Sequence, residues 1–146
     1  MNNSQLHDEK TFYDAFLRDL NDCRETVLIE SPFITSSRMR TIKHVFDKLV
    51  RRGVKVYVIT RDPKEHSNGY ALESELEIQY FENIGVQVLI CKGNHHRKLA
   101  IIDKKILWEG SLNILSQTHS REIMRRIDNK KLTIEMINFL QFSKFL

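Results

Sequence analysis

The chain has few cysteines and no long apolar segment. Its two cysteines, Cys23 and Cys91, are too few for a disulfide framework, and their positions are typical of reduced, partly buried thiols. No apolar run approaches the roughly 18 residues of a membrane span, so we expect no transmembrane helix and no membrane partner. The N-terminal sequence MNNSQLHDEK lacks the basic start and apolar stretch of a secretory signal, which predicts a cytoplasmic protein.

The sequence also lacks linkers, low-complexity segments and signs of a second domain. Its hydrophobic share of 41% and charged share of 29% are ordinary for a globular protein. A chain of 146 residues is long enough to form a core of its own. We therefore expect a single domain over residues 1–146.

Positive charge is concentrated in one part of the chain. The net charge is only +4, but residues 92–131 hold ten Lys or Arg against four Asp or Glu. This basic stretch predicts an anionic partner, and nucleic acid is the commonest one for a chain with a pI near 9.1. Considered alone, the charge fits a solvated basic face equally well.

Helix and strand patterns alternate through the first two thirds of the sequence. Apolar spacing predicts a helix over residues 5–22, a second one capped by Ser36 and Ser37 and ended by Gly53, and a third over residues 72–84. Short buried strands are predicted between and after these helices, at residues 26–30, 54–60 and 86–91. Such alternation is typical of parallel strands joined by crossover helices.

The pattern changes after residue 97. KLAII and KILWE flank a short Asp-Lys turn and predict an antiparallel hairpin, followed by a strand at residues 121–127 and a helix at residues 129–142. The predicted fold class is therefore α/β, with a mixed, largely parallel central sheet and helices on both faces.

Reactive side chains gather in the segment HHRKLAIIDKKILWEGSLN. The two-residue period of a strand places His96 and Lys98 on one face and His95 on the other. Ser111 and Asn113 repeat this spacing just past the hairpin, so they can meet the first pair across adjacent strands. A metal site is disfavoured, because adjacent histidines on a strand diverge and no cysteine or carboxylate cluster supplies further ligands.

The spacing of these residues resembles the HKD motif of the phospholipase D superfamily, and six marked positions match: His96-x-Lys98-x4-Asp103-x6-Gly110-Ser111-x-Asn113. The order of elements, including TVLIESPF before a capped helix, is similar to that family's fold over nearly the whole chain. A single motif copy in a short chain resembles the small bacterial endonucleases of the superfamily. SLNILS followed by SREIMRRI is similar to phospholipase D-like domains attached to helicases or restriction enzymes.

The resemblance implies a metal-independent, cofactor-free phosphodiesterase. His96 would attack the phosphorus and form a phosphohistidine, while Lys98, Ser111 and Asn113 would hold the non-bridging oxygens. Further substrate contacts are expected from two neighbours of the nucleophile, His95 and Arg97. In family members with one motif, the second histidine comes from a symmetry mate, so the resemblance implies a homodimer with a composite site.

Two carboxylates have alternative interpretations. Asp103 matches the motif and is predicted as a catalytic residue, but its place at the hairpin turn also fits a role in fixing that turn. Glu122 resembles the downstream carboxylate that orients the nucleophilic imidazole in this family. The alternative for Glu122 is a surface ion pair with Arg125 or Arg126.

Three functions are compatible with the sequence. The favoured one is a nuclease acting on DNA or RNA, and the second is a nucleic-acid-binding or dimerisation module of a larger machine with little activity alone. A phospholipase is disfavoured, because no membrane anchor or extensive apolar loop accompanies the motif. The apolar C-terminal segment KLTIEMINFLQFSKFL favours a dimer, unless it packs fully on its own sheet or is the trimmed end of a longer protein.

Overall fold

The fold is described by a computed structural model over residues 3–66, 70–116 and 119–146. Within these ranges the strands are β1 (Ser4–Asp8), β2 (Thr26–Glu30), β3 (Lys55–Arg61), β4 (Gln87–Cys91), β5 (Leu99–Ile102), β6 (Ile106–Gly110) and β7 (Ile123–Asp128). The α-helices are α1 (Phe12–Asp22), α2 (Ser36–Arg51), α3 (Tyr70–Ile84) and α4 (Lys130–Phe139). Short 3-10 turns lie at Pro63–Glu65 and Phe142–Lys144.

The strands form one sheet in the order β1-β7-β6-β5-β2-β3-β4. β2 is parallel to β3 and β3 is parallel to β4, whereas the other neighbouring pairs are antiparallel. The predicted α/β class with a mixed sheet is confirmed, but its largely parallel character is wrong. The hairpin, β7 and β1 extend the sheet from β2 by antiparallel pairing, which needs no crossover helix.

Helices cover both faces of the sheet, as predicted. α1, α2 and α3 pack over the larger core, and α4 packs over a smaller core on the opposite face. Fully buried Trp108 donates its indole N–H to Asp19 of α1 at 2.8 Å, and Arg126 of β7 forms a two-point ion pair with the same carboxylate. This pairing fixes α1 against β6 and β7, because a buried charge is stable only when it is paired.

The N-terminal segment differs from the prediction. Residues 5–22 do not form one helix, because β1 pairs with β7 and α1 begins only at Phe12. The Asp8 carboxylate accepts the backbone N–H groups of Lys10 and Thr11 at 2.8 and 3.1 Å, which stabilises the turn between the two elements. Leu6, which fits the helical stripe in the sequence, is 63% exposed on β1.

The other elements are found close to their predicted positions. β2, β3, β4 and the hairpin lie where the apolar runs predict them, whereas β7 begins two residues late and α4 ends early at Phe139. The Ser36–Ser37 pair does not cap α2 through its own hydroxyls. Instead, the backbone N–H and hydroxyl of Ser36 both donate to Glu73 of α3, at 2.7 and 2.8 Å.

The apolar C-terminal segment packs mostly on its own sheet. Ile137 and Phe142 are buried in the smaller core, and five further side chains pack partly against it: Ile134, Met136, Leu140, Phe145 and Leu146. Only Leu132 and Phe139 of the segment's large apolar side chains are strongly exposed, at 46% and 81%. Both cysteines are free thiols, as expected.

Candidate active site

Three chain segments meet at one edge of the sheet. β6 ends at this edge with Gly110, while β5 begins there at Leu99 and β7 begins there at Ile123. Just outside these strand ends lie five of the predicted site residues: His96, Lys98, Ser111, Asn113 and Glu122. Because neighbouring strands are about 4.8 Å apart, antiparallel pairing brings the three segments side by side.

His96 and Lys98 lie in the irregular segment just before β5, so the predicted strand begins later than expected. The His96 side chain is exposed to solvent, as a nucleophile must be to meet a macromolecular substrate. The Lys98 ammonium donates to the backbone carbonyl of His96 at 2.7 Å, which leaves two of its three N–H groups for other acceptors.

The Gly110–Ser111 pair joins β6 to the start of β7. Ser111 donates its backbone N–H to the carbonyl of Ile123 at 2.9 Å, and its hydroxyl accepts the Ile123 N–H at 3.0 Å. A Cβ on Gly110 would lie 2.1 Å from the Ile123 carbonyl oxygen, well inside van der Waals contact. Glycine is therefore required here by the close approach of β7, not by a left-handed backbone.

Asn113 and Glu122 lie on the two loops beside this pair. The Asn113 side-chain oxygen is buried and has no hydrogen-bond partner within the described ranges. The Glu122 carboxylate accepts the Ser120 hydroxyl at 2.8 Å. The two arginines that could pair with Glu122 bind elsewhere, since Arg126 pairs with Asp19 and Arg125 donates to the Ser4 hydroxyl.

Asp103 is separated from the other candidates by the length of β5, about 16 Å of extended chain. Its carboxylate accepts the backbone N–H groups of the segment that leads into β2, those of Arg24, Glu25 and Thr26, at 2.9, 2.8 and 3.1 Å. Asp103 itself has a left-handed backbone, with φ of 54°. Its contacts are those of a residue that fixes the hairpin turn to β2.

The contacts of the Asp103 carboxylate change the pKa values of two groups, Asp103 itself and Cys23. Burial raises the pKa of the Asp103 carboxyl, but the hydrogen bonds from Arg24, Glu25 and Thr26 outweigh it and hold the pKa below its usual value. The nearby Cys23 thiol donates to the same carboxylate at 3.3 Å. Burial and that hydrogen bond raise the pKa of Cys23 to about 12, so the thiol is neutral at physiological pH.

His95 and Arg97, the predicted substrate contacts, both turn toward Glu30 at the end of β2. His95 Nε2 lies 2.5 Å and Arg97 Nε lies 3.1 Å from the same Glu30 oxygen, Oε2. Sequence reasoning did not single out Glu30. The available signal was an acidic residue that ends the buried run TVLIE, where an unpaired carboxylate would be costly.

A groove of about 500 Å³ opens beside the motif. Its charged lining consists of three cations, Arg97, Lys98 and Arg125, and one carboxylate, Glu109. The remaining lining is largely apolar and includes exposed Leu6 and Ile123. Every lining residue except Leu6 belongs to the basic stretch of residues 92–131. The positive charge concentrated there in the sequence therefore forms a local positive surface that suits an anionic ligand.

In the ranges that the structure describes, His, Cys, Asp and Glu side chains nowhere gather in a group of three or more that could hold a metal ion. Among the described helices, none combines the length and apolar character needed to cross a membrane.

A mixed α/β sheet with His, Lys, Gly-Ser and Asn gathered at one edge defines a phospholipase D-like domain. Residues 16–142 match the family described as cardiolipin synthase, phospholipase D-like domain, and the chain belongs to this family within the phospholipase D superfamily. No curated protein sequence matches the chain.

Solved structures share the fold at low sequence identity. NucT from Helicobacter pylori is 22% identical with a TM-score of 0.73, over 94% of this chain and 92% of its own. Nuc from Salmonella typhimurium, a phospholipase D family member, is 18% identical with a TM-score of 0.73, over 94% and 91%. The archaeal chromatin protein TrmBL2, described as binding DNA, is 13% identical with a TM-score of 0.63, over 99% of this chain and 53% of its own.

Proposed function

We propose that the protein is a metal-independent phosphodiesterase, and specifically a nuclease that cleaves DNA or RNA. The observation that carries this proposal is that the exposed His96 immediately precedes Arg97 and Lys98, two of the three cations that line the groove. Nucleic acid is a polyanion, and basic groups that neutralise its phosphates supply most of the affinity of such sites. Membership of the phospholipase D-like family supports phosphodiester chemistry at this position.

In the proposed reaction, a neutral His96 ring nitrogen attacks the phosphorus in line. The N–P bond forms as the bond from phosphorus to the leaving oxygen breaks, and that oxygen takes up a proton. Lys98, Ser111 and Asn113 stabilise the charge on the non-bridging oxygens. Water then cleaves the phosphohistidine, releases the phosphorylated end and returns His96 to its starting state.

We infer that the active unit is a homodimer. One chain offers a single motif, whereas the leaving oxygen needs a proton from a second histidine, the partner's His96. Leu6 and Ile123, which line the apolar part of the groove, are 63% and 64% exposed and supply apolar surface that a second copy would cover. A two-fold axis there would combine two basic grooves into one nucleic-acid path.

The remaining predicted residues take supporting roles in this proposal. Glu122 would orient the nucleophile from the loop before β7, next to the backbone that holds Ser111. Arg97 keeps free N–H groups at the groove and would contact a phosphate, while His95 lies behind it. Asp103 would fix the hairpin and touch no substrate.

Cleavage in the presence of EDTA tests the proposal. Purified protein should cleave labelled single- or double-stranded DNA or RNA with a chelator present, through an acid-labile covalent intermediate. His96→Ala should abolish this cleavage, whereas His44→Ala, which alters an exposed histidine on α2, should not. Undiminished cleavage by folded His96→Ala protein, or activity that requires added Mg²⁺, would contradict the mechanism.

A second candidate is a nucleic-acid-binding or dimerisation module of a larger helicase or restriction protein. The shared fold with TrmBL2, a DNA-binding chromatin protein, is the observation that favours it. Salt-dependent binding of labelled DNA without cleavage under any of these conditions would support this second function over the first.

A further inference from the structure

A buried carboxylate contacts both sequence neighbours of the candidate nucleophile. The Glu30 side chain is fully buried at the end of β2, a strand with neighbours on both sides in the middle of the sheet. Its Oε2 atom accepts from both His95 and Arg97, whereas its Oε1 atom is buried without a partner in the described part of the chain. Burying a carboxylate is costly, so these two hydrogen bonds must largely compensate for the lost hydration.

The two partners of Glu30 flank His96 in the sequence. In extended chain, alternate side chains point to the same side, so residues 95 and 97 turn inward together and residue 96 turns outward. The His95 side chain is 11% exposed and His96 is exposed to solvent, whereas the Arg97 side chain reaches Glu30 and is still 50% exposed.

The chain just before this segment is held from a second direction. Glu65 accepts the backbone N–H groups of Gly93 and Asn94 at 2.9 and 3.4 Å, and Arg61 donates to the Asn94 side chain at 2.9 Å. Gly93 and Asn94 both have left-handed backbones, with φ of 91° and 61°. Glu65 and Arg61 therefore fix the direction of the backbone just before residues 95–98. Glu30 then holds residues 95 and 97 themselves.

We propose that Glu30 is a positioning residue that sets the direction of His96 by holding its two neighbours. This inference rests on the proposed nuclease function, with His96 as nucleophile. In-line attack depends closely on geometry, and a displacement of about 1 Å can lower a rate about 100-fold. Glu30 touches no substrate, so its loss should lower kcat far more than it changes KM.

Two substitutions separate charge from hydrogen bonding. Glu30→Gln keeps one acceptor oxygen but loses the charge, and charge-assisted hydrogen bonds are about twice as strong as neutral ones. Glu30→Leu keeps similar bulk and removes both acceptors. We expect kcat to fall about 10-fold in the first variant and about 100-fold in the second.

The matched controls are Glu77→Gln and Glu77→Leu. Glu77 is also a nearly buried carboxylate in an ion pair, with Lys43 at 3.2 Å, but it lies on α3 and pairs with α2 away from the motif. Both control variants should keep the wild-type kcat. A second measurement, hydrogen–deuterium exchange of peptides covering residues 92–98, should show faster exchange in Glu30→Leu and no change in Glu77→Leu.

The outcomes distinguish this inference from the proposed function. A graded loss of kcat with faster exchange confined to residues 92–98 supports it. Folded Glu30→Leu protein with wild-type kcat, or with unchanged exchange in that segment, overturns it. If the wild-type protein cleaves no nucleic acid at all, the proposed function fails, and exchange alone decides whether Glu30 holds the segment.

Discussion

Replacing Asp103 with alanine should destabilise the protein without removing its chemistry. The Asp103 carboxylate accepts three backbone N–H groups at the start of β2 and lies at the far end of β5 from His96. Its removal leaves those donors to water and weakens the attachment of the hairpin turn to the segment before β2, while β5 stays paired with β2. The resemblance to the HKD motif predicts instead a loss of catalysis. Stability and kcat together therefore distinguish a structural role of Asp103 from a catalytic one.

The size of the effect follows from the contacts. Hydrogen bonds to a charged group contribute about 1.5–3 kcal/mol each when buried, but Arg24 and Glu25 are exposed and water replaces much of what their N–H groups lose. The left-handed backbone of Asp103 adds roughly 1 kcal/mol against alanine. We expect Asp103→Ala to lower the free energy of unfolding by about 3 kcal/mol in total.

The stabilisation should depend on pH in a defined direction. The pKa of Asp103 is lowered in the folded protein, so its charge stabilises the fold fully above the unfolded value of about 3.9. That contribution is lost as the pH falls through the lowered folded pKa. The stability difference between wild type and Asp103→Asn should therefore be constant from pH 7 to about pH 5 and shrink at lower pH.

Urea denaturation of the wild type, Asp103→Ala and Asp103→Asn measures the free energy of unfolding, and nuclease assays per folded molecule measure kcat. Asp22→Ala, which alters an exposed carboxylate at the end of α1, is the control and should unfold like the wild type. Asp103→Ala protein with full stability and a large loss of kcat would refute the structural role.

Three further perturbations concern the sheet edge and the assembly. Lys98→Ala should reduce kcat more than it changes KM if the ammonium stabilises the charge of the transition state as proposed, and steady-state kinetics showing a change confined to KM would contradict that role. Gly110→Ala should lower the urea midpoint by displacing β7, since its Cβ would lie 2.1 Å from the Ile123 carbonyl oxygen, and an unchanged midpoint would contradict the close approach. Sedimentation at assay concentrations should show a dimer, and Leu6→Glu should shift it toward monomer and lower cleavage, whereas a monomer that retains full activity would refute the composite site.

Local patterns were sufficient to predict much of the fold. β2, β3 and β4 are continuous apolar runs between polar turns, and the hairpin has short strands around a three-residue turn, so their positions depend mainly on neighbouring residues. The hairpin also brings the Lys98 backbone next to the Gly110–Ser111 pair, since the Gly110 N–H donates to the Lys98 carbonyl at 3.4 Å. Pairing within a hairpin is set by turn length and side-chain alternation, both of which are visible in the sequence.

Long-range pairing decided the rest. The segment around Leu6 has a helical period, yet it became β1 because β7 offered an unpaired edge, a partner more than a hundred residues away. The antiparallel pairing of β5 with β2, and of the hairpin, β7 and β1 with one another, made the sheet mostly antiparallel. The contacts of Asp103 with residues 24–26, and of Glu30 with His95 and Arg97, likewise join distant parts of the chain. The sequence by itself determined which side chains could take part in chemistry, because their spacing is visible along the chain. Only the tertiary structure decided which of these side chains are held in place by a buried carboxylate, because burial and the choice of partner depend on the packing of the whole sheet.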